Sequence, residues 1–95
     1  MEVSVKILLF ATLRERYGVK EVDVKCNGTI QSLVENAAKI LGSSFINDIL
    51  SKDGENVRDD LILMINGRNI KDIKGRVEIK DGDVVAIFPP LAGGN

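Results

Sequence analysis

The sequence contains no histidine and only a single cysteine, Cys26. Without histidine the chain cannot form Ser-His or Cys-His nucleophile pairs, histidine metal sites or the usual proton shuttle near neutral pH. A lone cysteine cannot form an internal disulfide, and Cys26 falls on the apolar parity of an alternating segment, which indicates a core residue. We therefore expect a substrate of other proteins rather than an enzyme, with no bound metal or cofactor of its own.

The sequence also lacks a large excess of either positive or negative charge, and it contains no long apolar run. The net charge of −1 provides no broad basic surface, so nucleic acid is not expected as a partner. No apolar run has the length of a membrane helix or the form of a signal peptide, so we expect a cytoplasmic protein with no membrane partner. The chain does have 44% apolar residues over 95 positions, enough for one domain with a modest core.

The amino-terminal third predicts a β-hairpin. The segment VSVKILLF (residues 3–10) is rich in β-branched residues, and EVDVKC (residues 21–26) alternates strictly between polar and apolar. Between them, ATLRERYG is expected to form a short helical turn or loop closed by Gly18.

The next segment predicts a long helix, with Thr29 as its amino-terminal cap and Gly42 ending it in a left-handed conformation. SFINDIL is expected to add a short helical turn. The apolar positions of the long helix follow helical spacing: Ile30, Leu33, Val34, Ala37, Ala38 and Leu41.

Two later segments predict strands that are apolar on both faces, LILMING (residues 61–67) and VVAIF (residues 84–88). The residues between them are interpreted as mostly turns. This element order lets the last strand return parallel to the first. We therefore predict an α+β fold, with a mixed four- to five-stranded sheet and one long helix packed across one face.

Alternation along these strands divides their apolar side chains between two faces. The face toward the helix is expected to contain Val3, Val5, Ile7, Leu9, Leu61, Leu63, Ile65, Val85 and Ile87. The opposite face has no second helix to cover it, so we interpret its side chains as a partner-docking surface, called the far-face patch. The far-face patch consists of Leu8, Phe10, Ile62, Met64, Ala86 and Phe88. Four cations could flank this patch and pair with acidic groups of a partner, but we prefer to interpret them as solvated surface charge. They are Arg14, Arg16, Lys71 and Lys74.

The carboxyl-terminal segment FPPLAGGN predicts an extended tail (residues 89–95) on a domain of residues 1–88. Pro89 and Pro90 direct the chain away from the sheet, and Leu91 and Ala92 offer a small apolar grip. Gly93 and Gly94 have no Cβ and could pass through a narrow slot, at a reach of about 20 Å from Phe88. Such a tail suits delivery of a terminal carboxylate into another protein's active site.

The chain resembles the MoaD/ThiS family of ubiquitin-like β-grasp sulfur carriers, and within it the small subunits of molybdopterin synthase. The similarity lies in KILLFATLRERYG, in LILMING and above all in DGDVVAIFPPLAGG. It implies a β-grasp fold and a tail that an E1-like, MoeB-like adenylyltransferase activates with ATP at Gly94. Sulfur would then replace AMP, and the thiocarboxylate would act as sulfur donor beside a MoaE-like large subunit in molybdenum cofactor synthesis.

The sequence departs from this pattern at one position, because Asn95 follows Gly94. We expect either that a peptidase removes Asn95 or that the residue was added to the natural chain; loss of activity is the third alternative. Other carriers of the same chemistry serve thiamine synthesis or tRNA thiolation, although thiamine carriers are typically shorter and lack Pro-Pro. A ubiquitin-like protein modifier and an adaptor with an inert tail also remain open.

The hypothesis that the chain is an enzyme is the weakest. The carboxylate pairs that could bind a catalytic metal are typical of turns. These pairs are Asp59-Asp60 and Asp81-Gly82-Asp83.

Overall fold

The computed structural model describes residues 2–90 of the chain. Within them the elements, in chain order, are β1 (Val3–Leu9), α1 (Ala11–Tyr17), β2 (Glu21–Cys26), α2 (Ile30–Leu41), α3 (Ser44–Ile49), β3 (Ile62–Ile65), β4 (Arg68–Asn69), a 3-10 turn (Ile70–Asp72) and β5 (Val84–Phe88).

The strands form one mixed five-stranded sheet in the order β2-β1-β5-β3-β4. β1 and β2 form the predicted antiparallel hairpin, with Val5 opposite Val24. β5 lies parallel to β1, with Ile7 opposite Val85, and β3 lies antiparallel to β5. The crossover between the hairpin and β5 contains α2, α3 and β3, long enough to make the parallel return possible. The predicted mixed sheet and the return of the last strand beside the first are both confirmed.

Helix α2 packs its apolar stripe against the sheet. Leu33, Val34, Ala37 and Ala38 are buried, whereas the two ends of the stripe are half-buried. The hydroxyl of Thr29 accepts a hydrogen bond from the backbone N–H of Ser32, which confirms the predicted cap.

The prediction for Gly42 was wrong. Its φ of 125° and ψ of 150° lie in a region that glycine favours, but outside the left-handed helical region. Its N–H still closes the helix by donating to the carbonyl of Ala38.

Two shorter helices, α1 and α3, complete the helical layer. The prediction of one long helix therefore describes only part of this layer. Phe45 of α3 is fully buried, and the ring of Tyr17 from α1 meets it edge-on at 5.3 Å between centroids. The Tyr17 hydroxyl donates to a carboxylate oxygen of Asp48. Burial, followed by this hydrogen bond, raises the pKa of Tyr17 above its usual value. These contacts join the two short helices.

The connection before β5, expected to be mostly turns, also contributes to the core. Ile79 is buried, and its N–H donates to the carbonyl of Gly28 at 2.9 Å. Gly28 has a φ of 97°, and a Cβ there would lie 3.2 Å from the carbonyl oxygen of Ile79. The close approach of these two backbone segments therefore requires glycine at position 28.

No helix within residues 2–90 is both long and apolar enough to cross a bilayer.

Candidate functional site

The sheet brings the six predicted residues of the far-face patch together in two cross-strand rows. In one row, Ala86 of β5 lies opposite Leu8 of β1 on one side and Met64 of β3 on the other. In the next row, Phe88 lies opposite Ile62 and its ring stacks on Phe10, with the centroids 4.3 Å apart and the planes at 12°. The patch therefore runs continuously across the three central strands.

The exposure of the patch contrasts with the buried face of the same strands. Ile62 is 44% exposed, and the other five patch residues are half-buried. The next residues along β3 and β5, Leu63 and Ile87, are each 1% exposed. The structure thus confirms the predicted division of the strands into a covered face and an uncovered one, while a role in docking stays a prediction.

One end of this face is polar. Lys6 precedes the patch on β1, where its ammonium group pairs with the carboxylate of Glu21 at 3.2 Å. The hydrogen bond to Glu21 and its negative charge raise the pKa of Lys6 above the usual value. The apolar character therefore increases along β1 and β5 toward their carboxyl ends, where β5 ends at Phe88.

Arg14 belongs to the apolar end of the face, which corrects the interpretation of this residue as solvated charge. Its guanidinium carbon lies 5.4 Å from the centroid of the Phe10 ring, and its Nε donates to the carbonyl of Leu9 at 3.1 Å. The signal that could have identified it is the four-residue spacing from Phe10 to Arg14, which brings two side chains together on a helical turn.

The other three cations do not share this arrangement. Arg16 pairs with the carboxylate of Asp48 at 3.3 Å, and the Nζ of Lys71 donates to the carbonyl of Asp59. Lys74 is exposed. For these residues the interpretation as surface charge agrees with their surroundings.

The candidate carboxylate pairs have local structural roles. The side chain of Asp83 accepts hydrogen bonds from the side-chain amide of Asn66 and from the backbone N–H of Lys80, and Asp81 accepts from the N–H of Ser4. Asp60 pairs with Arg58. These bonds hold the turns that flank β3 and β5, as expected for aspartates in such positions.

The tail begins where the patch ends. Pro89 is half-buried, Pro90 is exposed, and both lie outside regular secondary structure. Leu91, Ala92, Gly93, Gly94 and Asn95 lie outside the described residues. Their predicted passage through a partner's active site, and the role of Gly94 as the reactive carboxylate, therefore stay predictions.

Comparison with known proteins identifies relatives along nearly the whole chain. The chain is 36% identical over 93 residues to the molybdopterin synthase sulfur carrier subunit of Drosophila melanogaster, covering 97% of this chain and 92% of the fly protein. Its structure matches the solution structure of small archaeal modifier protein 1 from Methanosarcina acetivorans with a TM-score of 0.79, at 25% identity and over 99% of both chains.

A chain of the BexX/CysO complex from Amycolatopsis orientalis matches with a TM-score of 0.76 at 25% identity, over 95% of this chain and 99% of the other. These matches confirm the predicted ubiquitin-like β-grasp fold. A sequence profile of the ThiS family matches residues 7–94. Because this match covers almost the entire sequence, and because curated relatives of similar length are sulfur carrier subunits, the chain belongs to the ThiS family of sulfur carriers.

Proposed function

We propose that this protein carries sulfur as a thiocarboxylate on Gly94 and donates it in the synthesis of molybdopterin. The observation that carries the proposal is the continuity between the far-face patch and the start of the tail. Phe88 lies in one row with Phe10 and Ile62, and Pro89 follows it directly. A partner that covers this row therefore lies beside the start of the tail. Full-length similarity to a molybdopterin synthase sulfur carrier subunit supports the choice of acceptor.

The chemistry requires activation, because a carboxylate has no good leaving group. In the proposed sequence, the Gly94 carboxylate attacks the α-phosphorus of ATP and pyrophosphate leaves. Hydrosulfide then attacks the acyl carbon, the acyl–oxygen bond breaks, and AMP leaves with the bonding electrons. The product is a thiocarboxylate, whose sulfur is a soft nucleophile. An E1-like adenylyltransferase supplies the groups for these steps, so this chain acts as substrate rather than catalyst.

The far-face patch is proposed to dock the large, MoaE-like subunit of molybdopterin synthase. Apolar rows of this kind form the centre of protein interfaces, where aromatic residues such as Phe10 and Phe88 contribute much of the binding energy. From Phe88 the remaining tail reaches about 20 Å, far enough to enter a neighbouring active site. Two sulfur deliveries in this position would provide both sulfur atoms of one dithiolene.

Asn95 must leave before this chemistry, because adenylation at Gly94 needs a free glycine carboxylate. We propose that a peptidase removes whatever follows Gly94. The test uses two chains, one ending at Gly94 and one retaining Asn95, each mixed with ATP and the E1-like enzyme from the same genome. Mass spectrometry should detect an acyl-adenylate on the first chain and none on the second. Equal reactivity, or none in either chain, would overturn the assignment of Gly94.

A second candidate function is protein modification, favoured by the structural similarity to small archaeal modifier protein 1. In that case the activated Gly94 would pass to a lysine amine of another protein. Digestion of cell extracts would then yield lysines carrying Gly-Gly remnants from this chain. A carrier instead leaves its own carboxyl terminus with one oxygen replaced by sulfur, so the two candidates are separable in one experiment.

A further inference from the structure

Where β1 and β5 end, the Phe10 ring contacts both a cation and a second aromatic ring. The guanidinium of Arg14 lies over one face of the Phe10 ring, at 5.4 Å, and Phe88 stacks almost parallel on that ring at 4.3 Å and 12°. Cation–π attraction and ring stacking both favour this geometry. Arg14 is therefore linked to Phe88, the last residue of β5, by the Phe10 ring that both of them contact.

A sharp backbone turn at Ala11 allows Arg14 to reach the Phe10 ring. Ala11 has a φ of 52°, a left-handed conformation that its Cβ disfavours. The turn lets α1 begin directly after Phe10, so that Arg14 returns over the ring and its Nε reaches the carbonyl of Leu9. Leu13, which is 5% exposed, anchors the helix in the core. Strained residues of this kind persist where the surrounding structure holds them in place, frequently at functional sites.

The orientation of Phe88 determines where the tail begins. Proline fixes its own φ near −65° and restricts the residue before it to extended conformations. With Pro89 and Pro90 following Phe88 directly, few backbone angles remain free at this point of the chain. A change in the backbone orientation of Phe88 therefore changes the direction in which the chain leaves Pro90.

From these contacts we propose that Ala11 and Arg14 form a clamp that orients Phe88 and so directs the tail toward the partner's active site. Arg14 is a positioning residue, since it acts through Phe10 and Phe88 and does not touch the reacting atoms. This inference rests on the proposed function for its consequence, the sulfur transfer, but the clamp itself is a property of the free chain.

The test compares Arg14→Lys with Arg16→Lys, both in a chain ending at Gly94. Arg14→Lys keeps the charge but removes the planar group and the Nε–H donor to Leu9. Arg16 lies two residues further along α1, has a 59% exposed side chain and pairs with Asp48, so its variant is the matched control. Ala11→Gly is a third variant that removes the penalty on the left-handed turn without removing a contact.

The first measurement is an NMR experiment on the free chain. We expect Arg14→Lys to reduce the cross-relaxation between the Phe10 and Phe88 rings to less than half. Ala11→Gly relieves the strain at the turn and should not reduce this signal. Arg16→Lys should leave the signal unchanged. An undiminished ring contact in Arg14→Lys would overturn the clamp.

The second measurement separates docking from transfer, using the thiocarboxylate form and the large synthase subunit from the same genome. At saturating partner, we expect Arg14→Lys to slow single-turnover transfer about tenfold, because misplaced reacting groups lose rate steeply. Its dissociation constant should stay within about threefold of the parent value. A loss confined to the dissociation constant, or an unchanged transfer rate, would contradict a positioning role. If no chain forms a thiocarboxylate, the proposed function fails, while the NMR result still decides whether the clamp exists.

Discussion

The two faces of the central sheet are built from the same strands, and near the carboxyl end of β5 both are apolar, yet they have different surroundings. Ile87 and Phe88 are neighbours on β5. Ile87 is 1% exposed and belongs to the hydrophobic core, whereas Phe88 is half-buried on the open face. Isolated apolar residues are common on protein surfaces. A continuous apolar surface across three strands is less common and indicates a binding site. We therefore attribute the stability of the fold to the covered face and propose that the open face serves association.

The largest expected effect on stability belongs to the covered face. Ile87→Ala removes a fully packed side chain and leaves a cavity, so we expect the free energy of unfolding to fall by about 2–5 kcal/mol. Urea denaturation followed by circular dichroism measures it. Ile87→Val is the milder control and should cost about 0.5–1.5 kcal/mol. A loss below that of the valine variant would contradict the division between the faces.

On the open face, a substitution should weaken binding much more than it lowers stability. Ile62→Lys places a charge in the middle of the proposed interface, and we expect binding to the large synthase subunit to weaken by about 2 kcal/mol, roughly thirtyfold. Stability should change by about 1 kcal/mol or less, since Ile62 is 44% exposed.

The matched control for Ile62→Lys is Ile40→Lys on α2. Ile40 is 59% exposed and lies outside the far-face patch. Isothermal titration calorimetry should give this variant the parent affinity. Equal losses in both variants would mean that general hydrophobicity, rather than the patch, drives binding.

The sequence predicted the sheet faces well because strand alternation has a fixed period of two. Once the strands at residues 3–10, 61–67 and 84–88 were identified, the parity of each side chain followed without tertiary information. The cap at Thr29 was similarly predictable, since it depends on residues within one turn.

Features that depend on contacts between distant segments were not predictable in this way. Ile79 is buried where its backbone bonds to Gly28, far away in sequence, and nothing in its own segment indicates that contact. The sequence favours a solvated Arg14 because surface ion pairs contribute little free energy. Its contact with Phe10 depends on the φ of Ala11, a conformation that alanine rarely adopts.

The smallest expected effect concerns the helical layer, which should influence stability at high pH but not docking. Folding raises the pKa of Tyr17 above 10.0, chiefly by burial, so the folded state favours the protonated phenol. Stability from this group is complete below pH 10 and is lost as the pH rises through the folded-state pKa. The pKa of Lys6 is also raised, so the stability that its ion pair contributes is likewise lost as the pH rises above 10.5.

Tyr17→Phe separates these two contributions. We expect its urea midpoint to fall less than that of the parent between pH 9 and pH 11.5, by a few tenths of a molar at most. Its affinity for the large subunit at neutral pH should equal that of the parent. A parallel decline in both proteins would show that Tyr17 does not contribute to the pH dependence.

The most direct test of the central claim is the intact mass of this protein purified from its own cells under conditions that preserve sulfur. We predict a population ending at Gly94 with one carboxylate oxygen replaced by sulfur, and its disappearance when the E1-like enzyme is deleted. A protein that always retains Asn95 and an ordinary carboxylate, in cells actively making molybdopterin, would contradict it.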